Sequence, residues 1–166
     1  MLAFVDVQYD GDVGLAAAVT AAAWTDGAPA AEHVVRVPGV LPYRPGAFYE
    51  RELPCILRVL AAILVPLAVV IIDGYVELDA AGAPGLGAHL HARLGGAVPV
   101  VGIAKTAFQG SAFATAVTRG GSAKPLFVTA RGVDVAQVAR WVREMHGPHR
   151  IPTLLRRVDR LARGDR

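Results

Sequence analysis

Three carboxylates occupy positions where an acidic side chain has a chemical use. Asp6 lies inside the apolar run FVDVQY, Asp73 follows the apolar run 67–72, and Glu52 stands at the start of a helix-like stretch. A carboxylate within an apolar strand costs free energy unless something compensates its charge. Hard divalent cations such as Mg²⁺ prefer oxygen ligands, and two such ions can activate a water and stabilise the leaving oxygen in phosphodiester cleavage. We expect these three carboxylates to share a cation.

Ordinary structural roles compete with this interpretation for two of the three acids. Asp73 precedes Gly74, a pair typical of a turn, and Glu52 complements the positive end of a helix dipole. Asp6 has no comparable alternative. Lys105 ends the run VPVVGIAK and is suited to neutralise a phosphate, or else to reach solvent from the end of a strand.

The loop at 42–46, PYRPG, carries an aromatic ring between two prolines. A ring held on such a stiff loop can wedge into a stack of nucleic-acid bases. Tyr43 is equally suited to cover the core as a lid. Both interpretations stay open from the residues alone.

Alternating and helical hydrophobic patterns predict the elements that must position these residues. We predict strands at 4–9, 13–24, 32–37, 67–72, 98–104 and 126–129; helices from about 52 to Pro66, at 86–94 and at 135–145; a strand or irregular stretch at 108–118; and a helical tail at 150–163. Pro54 suits the first turn of the first helix. An antiparallel three-strand meander followed by helix–strand crossovers gives an α/β fold, a mixed sheet flanked by helices in the order of ribonuclease H-like domains.

Composition limits the class of protein. The 166 residues are 54% hydrophobic and carry 17 basic against 14 acidic side chains, a net charge of +3, which excludes a disordered chain. The length predicts one domain covering 1–166. Eight arginines fall between Arg140 and Arg166, which predicts a basic tail at about 150–166. That stretch is either a solvated helix face or a phosphate-contacting surface.

Cellular location is also constrained. Cys55 is the single cysteine, so an internal disulfide is impossible and a reducing cytoplasm is expected. The N-terminal residues lack the basic start of a signal peptide. The longest apolar run, 59–72, is broken by Pro66 and is shorter than the ~20 residues that a bilayer requires, so we expect no membrane contact.

Six segments together resemble the endonuclease V family, the deoxyinosine or inosine 3′ endonucleases. They are FVDVQY (4–9), PYRPGAFYERELP (42–54), IIDG (71–74), VPVVGIAKT (98–106), KPLFVTARGVD (124–134) and HRIPTLLRRVD (149–159). They occur in family order across nearly the whole chain. The Tyr-x-Pro-Gly block followed by Arg-Glu is the specific part.

The resemblance implies a ribonuclease H-like nuclease that uses Mg²⁺ or Mn²⁺ and cleaves the second phosphodiester bond 3′ to a deaminated base. The implied catalytic residues are Asp6, Glu52, Asp73 and Lys105, with the three acids as metal ligands. The implied base-binding residues are Tyr43 and Pro45 in a wedge loop, with Gly46, Phe48 and Gly74 lining a pocket for flipped hypoxanthine. The implied partner is DNA or RNA containing a deaminated base, bound by a monomer.

Two family blocks differ in this chain. The family continues from Asp-Gly to a His-Pro pair, whereas here the sequence is YVELDAAG with Asp79 near that place. The Ser-Pro-Gly-His block reads TARG at 129–132, so the metal-site histidine is absent and Asp134 is expected to supply an oxygen ligand instead. Two alternatives follow: a nucleic-acid-binding protein of the same fold with weakened catalysis, and a related nuclease with a different target.

Overall fold

A computed structural model describes residues 1–108 and 112–165. The strands are β1 (Leu2–Asp10), β2 (Val13–Ala21), β3 (Ala31–Val37), β4 (Val69–Ile72), β5 (Val100–Ala104), β6 (Thr115–Val117) and β7 (Leu126–Arg131). The helices are α1 (Phe48–Leu60), α2 (Leu86–Arg93), α3 (Val135–Glu144) and α4 (Thr153–Ala162). The strands form one sheet in the order β3-β2-β1-β4-β5-β7-β6, in which β1, β4 and β5 run parallel and the other neighbours antiparallel. The predicted meander and mixed sheet are confirmed.

Alternation along β1 divides the core between the two faces of the sheet. Val5 and Val7 belong to the apolar cluster that α1 and α2 cover, whereas Phe4 belongs to the cluster that α3 and α4 cover. Asp6 follows the same alternation as Phe4 and therefore faces the α4 side. An acidic group thus enters an apolar layer, as the sequence pattern predicts.

Strand register brings the functional candidates to one edge of the sheet. Val5 pairs with Ile72 in the parallel β1–β4 ladder, so the next residues, Asp6 and Asp73, are neighbours. Ile72 pairs with Gly102, and Lys105 comes directly after β5. Carboxyl ends of parallel strands are where ligands collect in such sheets.

The first helix differs from its prediction at both ends. It begins at Phe48, four residues before Glu52, and ends at Leu60 instead of at Pro66. Pro54 therefore lies within the helix and not in its first turn. Because proline has no N–H, the helix loses one backbone hydrogen bond there, while Leu53, Ile56 and their neighbours on the apolar stripe still bury against the sheet.

The C-terminal segment forms the predicted helix, α4, and this helix packs on the sheet. One face of α4 buries Leu154, Leu155, Val158, Leu161 and Ala162 against β1 and β2. This apolar face leaves the arginines of the segment on the other side of the helix, the arrangement of an amphipathic surface helix.

Two strand boundaries also differ from prediction. β2 ends at Ala21, where Asp26 accepts hydrogen bonds from the N–H groups of Ala22 and Ala23, and Trp24 stacks on Trp141 with ring centroids 5.2 Å apart. Within the predicted stretch 108–118 only Thr115–Val117 is a strand, and 109–111 lie outside the described residues. No helix in the described ranges is long and apolar enough to cross a bilayer.

Candidate active site

A cleft at the carboxyl edge of the sheet gathers acidic groups from three elements. Asp6 of β1, Asp73 after β4 and Asp159 of α4 line it together with Lys105. Glu52 of α1, on the opposite side of the sheet, does not line the cleft, but its charge acts on both Asp6 and Asp73. Two of the three predicted carboxylates therefore line one cleft, and the third is electrostatically coupled to both.

Two of these carboxylates are buried and incompletely bonded. Asp6 is 8% exposed and Glu52 5% exposed, and within residues 1–108 and 112–165 nothing donates a hydrogen bond to the Oδ2 atom of Asp6 or the Oε2 atom of Glu52. A buried oxygen without a partner costs free energy of the order of 1–3 kcal/mol. Buried polar atoms without partners are commonly found where a protein binds a ligand or an ion.

Burial and mutual repulsion disturb the ionisation of both groups. Burial, followed by the charge of Asp73, raises the pKa of Asp6 to about 6. Burial, followed by the charges of Asp6 and Asp73, raises the pKa of Glu52 well above its usual value. Like charges crowded in one cleft disfavour full ionisation, a condition that a bound cation relieves.

Lys105 supplies the cluster with a positive charge. Its Nζ atom lies 2.6 Å from Oδ2 of Asp73 and 3.6 Å from Oδ1 of Asp159. Burial lowers the pKa of Lys105, but the hydrogen bond and the charge of Asp73 outweigh burial and raise it overall. The ammonium group is therefore charged at neutral pH and lies between two carboxylates.

Arginines hold the backbone and the acid around Lys105. Arg150 donates to the carbonyl oxygens of Lys105 and Pro125, the latter at 2.9 Å. Arg163 holds both carboxylate oxygens of Asp159, with Nε and the terminal nitrogen at 3.0 and 3.1 Å. Arg150 thus fixes the strand end that carries Lys105, and Arg163 fixes the orientation of Asp159.

The donor set suits a hard divalent cation. All four acids offer carboxylate oxygens, and two of those oxygens are buried and have no partner among the residues that the structure describes. Within residues 1–108 and 112–165, no three His, Cys, Asp or Glu side chains already stand in the mutual arrangement of a metal cage. Mg²⁺ does not require such a cage, because it is usually held by one or two carboxylates with water and phosphate completing the shell.

Asp134 does not belong to this cluster, which corrects the expectation from sequence. β7 runs antiparallel to β5, with Arg131 opposite Val100, so the residues after β7 lie at the amino end of β5, away from Lys105. Asp134 is exposed and caps α3, accepting a 2.7 Å hydrogen bond from the backbone N–H of Gln137. Asp79 accepts a hydrogen bond from the Ala83 N–H within a turn.

Asp159 is the acid that sequence reasoning missed. The stripe of Leu155, Val158 and Ala162 predicts the buried face of α4, and Asp159 borders that face. The helical spacing carries this signal, but the basic composition of the segment conceals it. Of the arginines there, Arg157 is engaged too, in a two-point pair with Glu32 at 2.6 and 2.7 Å.

A second cavity of about 300 Å³ adjoins the acidic cleft. Four of the five predicted base-binding residues line it: Tyr43, Gly46, Phe48 and Gly74. Pro45 is exposed in the same loop without lining the cavity. Asp73 lines both the cavity and the cleft, so the two compartments share a wall.

The Tyr43 ring stands out from the molecule at the mouth of this cavity. It is 58% exposed and contacts Phe48, with ring centroids 6.2 Å apart. Tyr49, which the sequence did not single out, also lines the cavity and stacks on His89 at 3.7 Å between centroids. The wedge position of Tyr43 agrees better with this exposure than a lid over the core.

The floor of the cavity is a tightly held loop after β4. Gly74 adopts φ +149°, which favours glycine, and a side chain at Gly102 would collide with the Gly74 carbonyl oxygen. The buried N–H of Val76 donates to Oγ1 of Thr129 at 2.8 Å, and the Tyr75 hydroxyl donates to the Thr106 carbonyl at 2.7 Å. These contacts hold in place the backbone of Gly74 and Tyr75, which line the cavity.

Comparison with known proteins gives a consistent result. The family model of endonuclease V matches residues 1–146. Endonuclease V of Streptomyces avermitilis is 32% identical over 96% of this chain and 77% of its own length.

Solved structures show the same fold. The crystal structure of endonuclease V from Streptomyces avermitilis has a TM-score of 0.77 at 28% identity, covering 98% of this chain and 79% of that one. Endonuclease V of Ciona intestinalis, solved in complex with a 24mer DNA containing an inosine followed by a ribo-adenosine, has a TM-score of 0.81 at 16% identity, covering 98% and 84%. The predicted ribonuclease H-like fold is confirmed.

Proposed function

This chain belongs to the endonuclease V family, and we propose that it is a divalent-cation-dependent nuclease that cleaves nucleic acid 3′ to inosine or deoxyinosine. The relatives that share its sequence carry the endonuclease name, and the Ciona protein binds DNA containing inosine. DNA repair is the corresponding role. Mg²⁺ is the proposed cation, with Mn²⁺ as a substitute.

One observation carries the proposal: Asp6 and Glu52 are buried, repel each other and Asp73, and each has an oxygen with no hydrogen-bond partner among the described residues. Both Asp6 and Glu52 are desolvated and repelled by neighbouring acids, and for Asp6 this outweighs a hydrogen bond with the Val7 backbone and the charge of Lys105. A structural role would have supplied donors, as it does for Asp134. A divalent cation satisfies the same oxygens directly.

The acids would hold the cation, with roles divided by their positions. Asp6 and Asp73, adjacent on neighbouring strands, are the proposed principal ligands, and Glu52 and Asp159 complete the acidic shell. When bound, the cation supplies Lewis acidity at the phosphate and lowers the pKa of a water. Lys105 is placed to offset the negative charge of a phosphodiester beside Asp73.

The adjoining cavity is the proposed seat of the base. Hypoxanthine lacks the exocyclic amine of guanine, so backbone groups around Gly46 and Gly74 can distinguish it by hydrogen bonds to its edge. Tyr43 would fill the gap that the displaced base leaves in the stack. The shared wall at Asp73 connects base binding with the scissile phosphate.

A second candidate is a protein that binds inosine-containing nucleic acid without cutting it. The position of Lys105 favours this alternative, because its ammonium group already neutralises two of the acids. The four retained carboxylates oppose it, since a binding module has no use for them.

The test uses an end-labelled oligonucleotide with one inosine, in DNA and in RNA form, beside the same sequence with guanine. We expect cleavage 3′ to inosine with Mg²⁺ or Mn²⁺, none with EDTA, and none of the guanine control. A gel shift in EDTA measures binding separately. Specific binding without cleavage under any metal would establish the second candidate, and equal treatment of inosine and guanine would refute the base assignment.

A further inference from the structure

Lys105 occupies the centre of the acidic cleft. Its Nζ atom is in direct contact with Asp73 at 2.6 Å and within ion-pair distance of Asp159 at 3.6 Å, and its charge also acts on Asp6. This is the space between ligand oxygens that a cation would need. The ammonium group and a divalent ion cannot both use the Oδ2 lone pairs of Asp73 that face the cleft.

The backbone of Lys105 is fixed while its side chain is free to rearrange. Arg150 donates a hydrogen bond to the carbonyl oxygen of Lys105, and β5 ends one residue earlier. The hydrogen bond and the adjoining strand hold the main chain of Lys105 in place. The side chain is 37% exposed and extends on a flexible four-carbon stem. Displacement therefore costs a side-chain movement, one hydrogen bond and one ion pair, with the strand left in place.

We propose that Lys105 is the resident counter-ion of the acidic cleft, that it competes with the divalent cation for Asp73 and Asp159, and that it thereby weakens metal binding in the absence of nucleic acid. This inference rests on the proposed function, because it assumes a cation site among these acids. A displaced ammonium group becomes available to a phosphate, so nucleic acid and cation would favour each other's binding. Loading would then be tightest when substrate is present.

The experiment measures Mn²⁺ binding to the full chain by calorimetry without nucleic acid. Lys105→Met removes the competing charge and keeps much of the aliphatic stem, so we expect Mn²⁺ affinity to rise about ten-fold, the effect of relieving one partly exposed ion pair. Lys105→Arg retains the charge and should bind with nearly wild-type affinity. Circular dichroism checks that both variants are folded.

The chain offers a matched control, because Lys124 is its only other lysine and is exposed. Lys124→Met makes the same change in net charge away from the cleft and should leave Mn²⁺ affinity unchanged. A similar gain in both variants would show a general charge effect and overturn the inference. Equal or weaker Mn²⁺ binding by Lys105→Met would overturn it as well.

Thermal unfolding provides a second readout that does not depend on catalysis. The metal-free Lys105→Met protein loses the counter-ion of Asp73, Asp159 and Asp6 and should melt below wild type in EDTA, and Mn²⁺ should stabilise it more than it stabilises wild type. Equal stabilisation of both proteins would contradict the inference alone, leaving the nuclease proposal intact. Failure of wild type to bind Mn²⁺ at all would remove both.

Discussion

Acidic residues at the two ends of the sheet lie in opposite environments. Near the carboxyl end of β4, Asp6 and Glu52 are buried, and each has an oxygen with no partner in the described part of the chain. Beyond β7, at the other end, Asp134 is exposed and its carboxylate caps a helix. The buried acids at the first end destabilise the fold, whereas Asp134 at the other end stabilises it.

This contrast separates functional from structural acids better than residue type does. A capping carboxylate gains a hydrogen bond and a favourable helix dipole on folding. A buried carboxylate among like charges loses solvation and gains repulsion. Natural proteins retain such costs at sites that act on ligands.

The largest expected effect comes from neutralising the acid in β1. Asp6→Asn preserves shape but removes a charged ligand, so cleavage of the inosine oligonucleotide should fall at least about a thousand-fold, equivalent to roughly 4 kcal/mol. Single-turnover cleavage measures the loss, and circular dichroism confirms the fold. Activity within ten-fold of wild type would show that Asp6 is not a functional acid, and the contrast between the acids at the two ends of the sheet would no longer hold.

The next test sets Asp159 against Asp134. Asp159→Asn should reduce cleavage about a hundred-fold, because it alters the acidic shell that faces Lys105. Asp134→Asn keeps a good capping residue and should leave cleavage within two-fold of wild type. The same cleavage assay serves both variants, and the reverse order of effects would restore Asp134 to the site.

A third test concerns pH and the metal-free protein. The folded pKa of Asp6 lies above its unfolded value of 3.8, at about 6, so folding takes up protons between these values. Its contribution to stability is therefore present below pH 3.8 and is lost as pH rises through about 6. Glu52 acts in the same direction.

We expect the Tm in EDTA to fall across this range for wild type and to fall less for Asp6→Asn. At pH 7 the variant should be more stable by about 2 kcal/mol. Mn²⁺ should reverse the order by stabilising wild type. Parallel melting curves with pH would show that Asp6 carries no folding cost.

The smallest effect belongs to the other end of the sheet. Asp134→Ala removes the cap of α3 and should lower the free energy of unfolding by about 1 kcal/mol in urea titrations. The loss should be independent of Mn²⁺ and accompanied by normal cleavage. A loss that Mn²⁺ changes would connect Asp134 to the metal site after all.

Much of the fold could be predicted because buried apolar residues recur at the spacing of a strand or of a helix. The β1–β2–β3 meander, the β4 strand and α3 follow from alternation and from helical spacing. The α1 start was misplaced because Pro54 suggested a first turn, although the helix tolerates it in its interior. The packing of α4 on β1 and β2 depends on contacts between distant residues, which its basic composition concealed.

The candidate site could be predicted where a charged residue lies among apolar neighbours in the sequence. Asp6 in an apolar strand is such a residue, and strand register then determines that Asp73 is its neighbour. Asp134 was misassigned because sequence order gives no sign that β7 reverses direction relative to β5. Asp159 reaches the cleft through the packing of a helix about 150 residues from β1, which local pattern does not reveal.

The acidic cleft and the adjoining cavity share a wall at Asp73, so the distance between them is fixed. Under the proposed function, a strand with one base behind Tyr43 and a phosphate beside Asp6 would span a constant interval, because the Gly74 carbonyl oxygen packs directly against Gly102. Incision would then fall a set number of nucleotides from the lesion whatever the flanking sequence. Enlarging residue 102 would blur that spacing, scattering cuts over adjacent linkages.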